Sequence, residues 1–145
     1  MKSKDTRWLQ RFQNFEKAFM RLREALAMGD LNELERNGLI QRFEFTIELC
    51  WKTLRDYMED EGFQFKPTPK GTLRQVANSG LIKNVDIQVL IDGLDIRNEL
   101  SHDYSENEFK KAEVEIREKV FPAIEKVYVF FQGQTDGSQT DIFNG

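Results

Sequence analysis

Trp8, Phe12, Phe15, Phe19, Leu22 and Leu26 follow one another at intervals of 4, 3, 4, 3 and 4 residues. An α-helix turns once every ~3.6 residues, so this spacing lays six large apolar side chains along one stripe; a strand, whose side chains alternate, could not. The stripe predicts a helix over residues 5–28, with Met28-Gly29-Asp30 as its stop. A second helix is expected over 32–61, ended by Gly62, with Phe43, Ile47, Cys50, Leu54 and Tyr57 as its stripe. Phe45, Leu49, Trp51 and Met58 lie off that stripe, and a helix apolar on more than one side needs more than one packing partner.

Punctuation residues divide the rest of the chain. Residues 63–69 (FQFKPTP) read as a loop, in which Thr68 is an N-cap and Pro69 the first residue of a short helix that runs to Ser79 and closes at Gly80. Asn84 is the expected N-cap of the next helix, with Ile87, Leu90, Ile91, Leu94 and Leu100 apolar. The last helix is expected over 106–131, with Phe109, Ala112, Ile116, Val120, Ala123, Val127 and Phe130 inward and a bend at Pro122, which lacks an N–H. Residues 132–145 (QGQTDGSQTDIFNG) are polar and aperiodic and are expected to form a mobile tail. Four long helices and one short one predict an all-α fold, an antiparallel up-and-down bundle in a single domain over residues 5–131.

Charge and cysteine content narrow the setting. No apolar run approaches the ~18 residues of a membrane span, and the start MKSKDTRWLQ has no apolar stretch that reads as a secretory signal. Cys50 is the single cysteine and has no internal partner, so a soluble, cytoplasmic protein is expected. Residues 1–28 carry seven Lys/Arg against three acids, whereas 86–108 carry seven acids against Arg97 alone. A nucleic-acid groove would be basic, so such a role is expected to use the N-terminal region or a partner chain. Twelve phenylalanines, several off the core stripes, point to a second buried surface: a homodimer joined through the second or the C-terminal helix.

His102 is the one histidine, in the run Arg97-Asn98-Glu99-Leu100-Ser101-His102-Asp103-Tyr104. Asn98 and His102 share a helix face, but Arg97 and His102, five apart, diverge by about 140° on an ideal helix. They converge if the arginine wraps round, if the helix ends near 102, or if a symmetry mate supplies the second group. Beside an arginine, a histidine could move a proton on a ribose 2′-hydroxyl without a metal. The plain alternative is a helix-end cap, with Arg97 paired to Asp95 or Glu99. Glu44 and Glu48 stand one turn apart, and Glu48 is four residues before Lys52; without a second histidine they do not read as a metal site, and surface ion pairing is favoured over a partner- or ligand-facing polar strip. Neither a metal nor a cofactor is expected.

The segment RNELSHDY resembles the Arg-x4-His-x-Tyr signature of the HEPN superfamily (higher eukaryotes and prokaryotes nucleotide-binding). Residues 40–52 (IQRFEFTIELCWK) resemble the helix-2 hallmark of one branch, the nucleotidyltransferase substrate-binding proteins, and the similarity extends through Gly80-Leu81-Ile82 over residues 8–131. The resemblance implies a homodimeric helical bundle and a partner encoded as a separate minimal nucleotidyltransferase, in a toxin–antitoxin-like module. By position it implies that Arg97, Asn98, His102 and Tyr104 bind a nucleotide or RNA-related substrate, with Tyr104 the site the transferase modifies. The alternative it offers is a metal-independent ribonuclease with Arg97 and His102 as its catalytic pair. The acidic setting of the signature suits the binding role better.

Overall fold

The computed structural model describes residues 7–102 and 105–144, and for 136–144 the path of the backbone alone. Every regular element among them is helical: α1 (Arg7–Leu26), α2 (Glu33–Asp60), α3 (Pro69–Ser79), α4 (Ile87–Leu100), α5 (Glu106–Glu115) and α6 (Phe121–Asn144), with a π-helical turn, Ile116–Val120, joining α5 to α6. None of these helices is long and apolar enough to cross a membrane.

The helix ends follow local chemistry. Asn32 caps α2 through a reciprocal box: its side chain accepts from Glu35 N at 2.8 Å, and Glu35 Oε1 accepts from Asn32 N at 2.9 Å. Thr68 caps α3 by accepting from Gly71 N, with Pro69 following it, and Gly80 in the left-handed region (φ 66°) ends the helix, all as expected. The start of α4 differs. Its cap is Asp86, whose Oδ1 accepts from Val89 N at 3.2 Å, whereas Asn84 sits in the turn before it at φ 63°, a conformation asparagine tolerates.

The last helix also departs from expectation. It continues past Phe131 to Asn144, because no proline follows Pro122, and Gly133 and Gly137 weaken a helix by about 1 kcal/mol each without removing a hydrogen bond. At Pro122 the chain does not break. Phe121 N–H bonds to Ile116 O, five residues back, so the ladder is re-registered by one π turn just ahead of the residue that cannot donate.

Packing confirms the two-sided character of α2, which contacts all five other α-helices. Phe43, Ile47, Cys50, Leu54 and Tyr57 are buried, and so are Trp51 and Met58 from outside that stripe. The α1 stripe is buried as read, except that Ala25 rather than Leu26 completes it. Trp8, Phe12, Phe15 and Phe19 join Tyr57, Tyr128 and Phe131 in a continuous aromatic layer between α1, α2 and α6, with the Phe19 and Tyr128 rings stacked 4.4 Å apart. Ion pairs close the edges: Arg11 Nε reaches the buried Asp56 at 2.9 Å, and Glu113 receives Arg36 at 2.7 Å and Arg117 at 2.9 Å. Burial works to raise the Glu113 pKa, but the bonds and charges of the two arginines outweigh it and hold the carboxyl below its ordinary value.

Candidate functional site

The site is built where α4 lies against α2. Gly93 permits the approach, since a Cβ there would stand 2.8 Å from both Ile47 Cδ1 and Val120 Cγ1. One turn further along α4, Arg97 emerges on the same side and its Nη1 meets Glu48 Oε1 at 2.9 Å. The arginine therefore pairs with neither Asp95 nor Glu99, the two partners considered from sequence. Asp95 is taken instead by Lys70 of α3, at 2.8 Å. A salt bridge across two helices defeats the local pairing because α2 presents its carboxylate directly opposite.

Glu48 is the hub of this network. Lys52 Nζ lies 2.9 Å from Glu48 Oε2, the i,i+4 pair expected from spacing, and Trp51 Nε1 donates to Oε1 at 3.3 Å. Burial pushes the Glu48 pKa upward, but the Lys52 and Trp51 hydrogen bonds and the charges of Arg97 and Lys52 prevail and leave it lowered. Glu44, one turn away, moves the other way: burial raises its pKa, and Arg97 only partly compensates. The Arg55 guanidinium covers the Trp51 ring at 5.2 Å. Residues 40–52 and the Arg97 segment, read separately in the sequence, thus meet in space.

Two concavities flank α4. One, of about 400 Å³, is lined by Lys66, Thr68, Pro69, Lys70, Gly71, Arg74, Leu94, Arg97 and Asn98. The other, of about 520 Å³, is lined by His102 with Glu99, Glu108, Glu115, Lys111 and an apolar floor including Leu100 and Ala112. Within one protomer, then, Arg97 and Asn98 line a cationic cavity while His102 lines an acidic one. Helix α4 does end before His102, whose N–H bonds to Glu99 O at 3.0 Å, and the imidazole is exposed. That ending alone does not bring it to Arg97, which is turned toward α2. Tyr104 lies outside the described residues.

Sequence reasoning missed Lys66, Lys70 and Arg74, and assigned any basic groove to the N-terminal region or a partner. A signal was present: residues 62–85 contain four Lys/Arg and no acid. Part of the N-terminal charge is engaged elsewhere, with Arg11 held by Asp56. Among the described residues no group of three His, Cys, Asp or Glu is placed to hold a metal ion. Cys50 is buried and desolvation drives its thiol pKa far upward, which makes it inert packing rather than a nucleophile.

Fold and site together define an all-helical domain with an ion-paired helix junction beside a ligand-sized cationic cavity. Residues 10–132 match the family described as "nucleotidyltransferase substrate binding protein like", and the chain belongs to that family. Among solved structures it is similar to a crystal structure of a protein from Thermus thermophilus, at 30% identity over 83% of this chain and 97% of that one, with a TM-score of 0.68. No curated protein matches it.

Proposed function

We propose that the chain is the substrate- or nucleotide-binding partner of a separate minimal nucleotidyltransferase, acting as a homodimer of HEPN-type antiparallel bundles in a two-protein, toxin–antitoxin-like module. The observation that carries this reading is the Arg97–Glu48 ion pair. It joins the arginine of the signature to the helix-2 hallmark and holds it at the rim of an open cavity, on rigid elements. Arg97 and Asn98 contact the ligand, His102 is contributed by the second copy across the dimer, and Tyr104 is the residue the transferase modifies. The three glutamates that share the His102 cavity would repel a phosphodiester backbone, which supports binding rather than cleavage of RNA.

The test is co-purification of the tagged chain with the small nucleotidyltransferase encoded beside it, followed by incubation with each α-labelled nucleoside triphosphate. Co-elution, and label on the wild type but not on Tyr104→Phe, is the expected result. Separate elution together with an unlabelled chain would reject the assignment.

A further inference from the structure

The cationic cavity has a chemistry that the signature does not account for. Four of its nine lining residues are Lys or Arg and none is acidic, in a chain whose net charge is −4. They converge from three places: Lys66 from the α2–α3 loop, Lys70 and Arg74 from α3, and Arg97 from α4. Two are held by acids standing outside the lining, Lys70 by Asp95 and Arg97 by Glu48. Lys66 and Arg74, both solvent-exposed, line the concavity and make no ion pair with a described residue.

The backbone is shaped to the same end. A Cβ on Gly71 would meet the Lys66 carbonyl and stand 2.7 Å from Thr68 Oγ1, so only glycine lets the loop fold back over the first turn of α3. That fold brings Lys66 alongside the first turn of the 11-residue α3. The volume, about 400 Å³, falls within the ~300–1,000 Å³ of small-ligand sites.

We infer that this cavity is a polyphosphate-binding site, in which Lys66 and Arg74 take the phosphate chain of a nucleoside triphosphate and Arg97 borders it. The inference rests on the substrate-binding reading and deepens it: it shares the cavity and Arg97 with that reading and adds Lys66 and Arg74 as the phosphate contacts. A planar guanidinium and an ammonium suit phosphate oxygens, and charge-assisted bonds are the strong ones. The same chemistry would accept a free inorganic chain.

Isothermal titration of the full chain with ATP, inorganic tripolyphosphate and adenosine tests this. ATP and tripolyphosphate should bind and weaken as salt rises, and adenosine should not bind. Loss of one charge-assisted contact at an open, exposed site should weaken ATP binding about three- to tenfold. Arg74→Gln and Lys66→Gln should each reach that loss for ATP. Lys110→Gln, the same charge change on the exposed face of α5, should leave affinity within about twofold. Tighter binding of ATP than of tripolyphosphate identifies the nucleotide as ligand, and equal binding identifies the phosphate chain alone; both uphold the site. Adenosine binding as well as ATP, no binding of tripolyphosphate, or unchanged ATP affinity in a folded variant carrying both Lys66→Gln and Arg74→Gln (checked by circular dichroism) overturns it. Co-elution with the transferase, measured on the same proteins, separates the two proposals. Partner binding without anion binding removes this site alone, and the reverse removes the proposed function alone.

Discussion

Glu44 and Glu48 feel the same arginine from adjacent turns of α2, yet their protonation equilibria move in opposite directions. The difference is one of partners: Glu48 collects hydrogen bonds from Lys52 and Trp51 as well as the Arg97 charge, while desolvation dominates at Glu44. A carboxylate whose folded pKa is lowered contributes stability that is present above its unfolded value and lost as pH falls through the folded one. Glu48→Gln should therefore cost stability at pH 7, by ~0.5–1 kcal/mol because the pair is partly solvated. The deficit relative to wild type should close as pH drops below the ordinary glutamate value of 4.5. For Glu44 the sign reverses. Its ionisation opposes folding, so Glu44→Gln should be neutral or stabilising at pH 7. Urea unfolding of both variants at neutral and acid pH checks this; equal losses from the two would contradict the asymmetry.

At the scale of elements, α4 is the piece on which the site depends, and it is set by one contact. Gly93 lets α4 approach α2 and the π turn, and Arg97 follows one turn later. Helix propensity alone would make Gly93→Ala stabilising by about 1 kcal/mol. Overpacking against Ile47 and the β-branched Val120 costs ~1–3 kcal/mol, so a net loss of about 1 kcal/mol is expected, with a weakened Arg97–Glu48 pair. A raised urea midpoint would show that the interface yields and that Gly93 does not set the spacing. The interior glycine could be seen in the sequence, but its reason could not, because the atoms it avoids are 46 and 27 residues away. By contrast the caps of α2 and α3 were legible, since a cap bonds to the helix's own first turn. Asn84 misled because two cap-forming residues, Asn84 and Asp86, precede α4, and local pattern does not rank them.

For the whole molecule, the phenylalanine count overstated the apolar surface left for a partner. Phe12, Phe15, Phe19, Phe43 and Phe131 are consumed by the chain's own core. Among the described residues the large apolar side chains left exposed are Met28, Leu34, Phe45, Val114 and Val129; of these the one phenylalanine, Phe45, stays 58% exposed on α2, beside Leu49, in a concavity rimmed by Lys17, Arg21 and Arg42. The proposed homodimer should bury Phe45. Light scattering on the eluting protein should give twice 17.1 kDa for the wild type and a single chain for Phe45→Glu. A wild-type mass of one chain at micromolar concentration would remove the dimer, and with it the route by which His102 could reach Arg97.

The residue order by itself determined the helices, their buried stripes and most of their ends, because each depends on neighbours within about one turn. Tertiary structure decided the rest. Glu48 claims Arg97 from 49 residues away, Lys70 takes Asp95, and loop, α3 and α4 gather their cations around one cavity. These outcomes turn on how the helices pack against one another, and packing is settled by side-chain volumes such as the missing Cβ of Gly93 rather than by the spacing of apolar residues along any one helix.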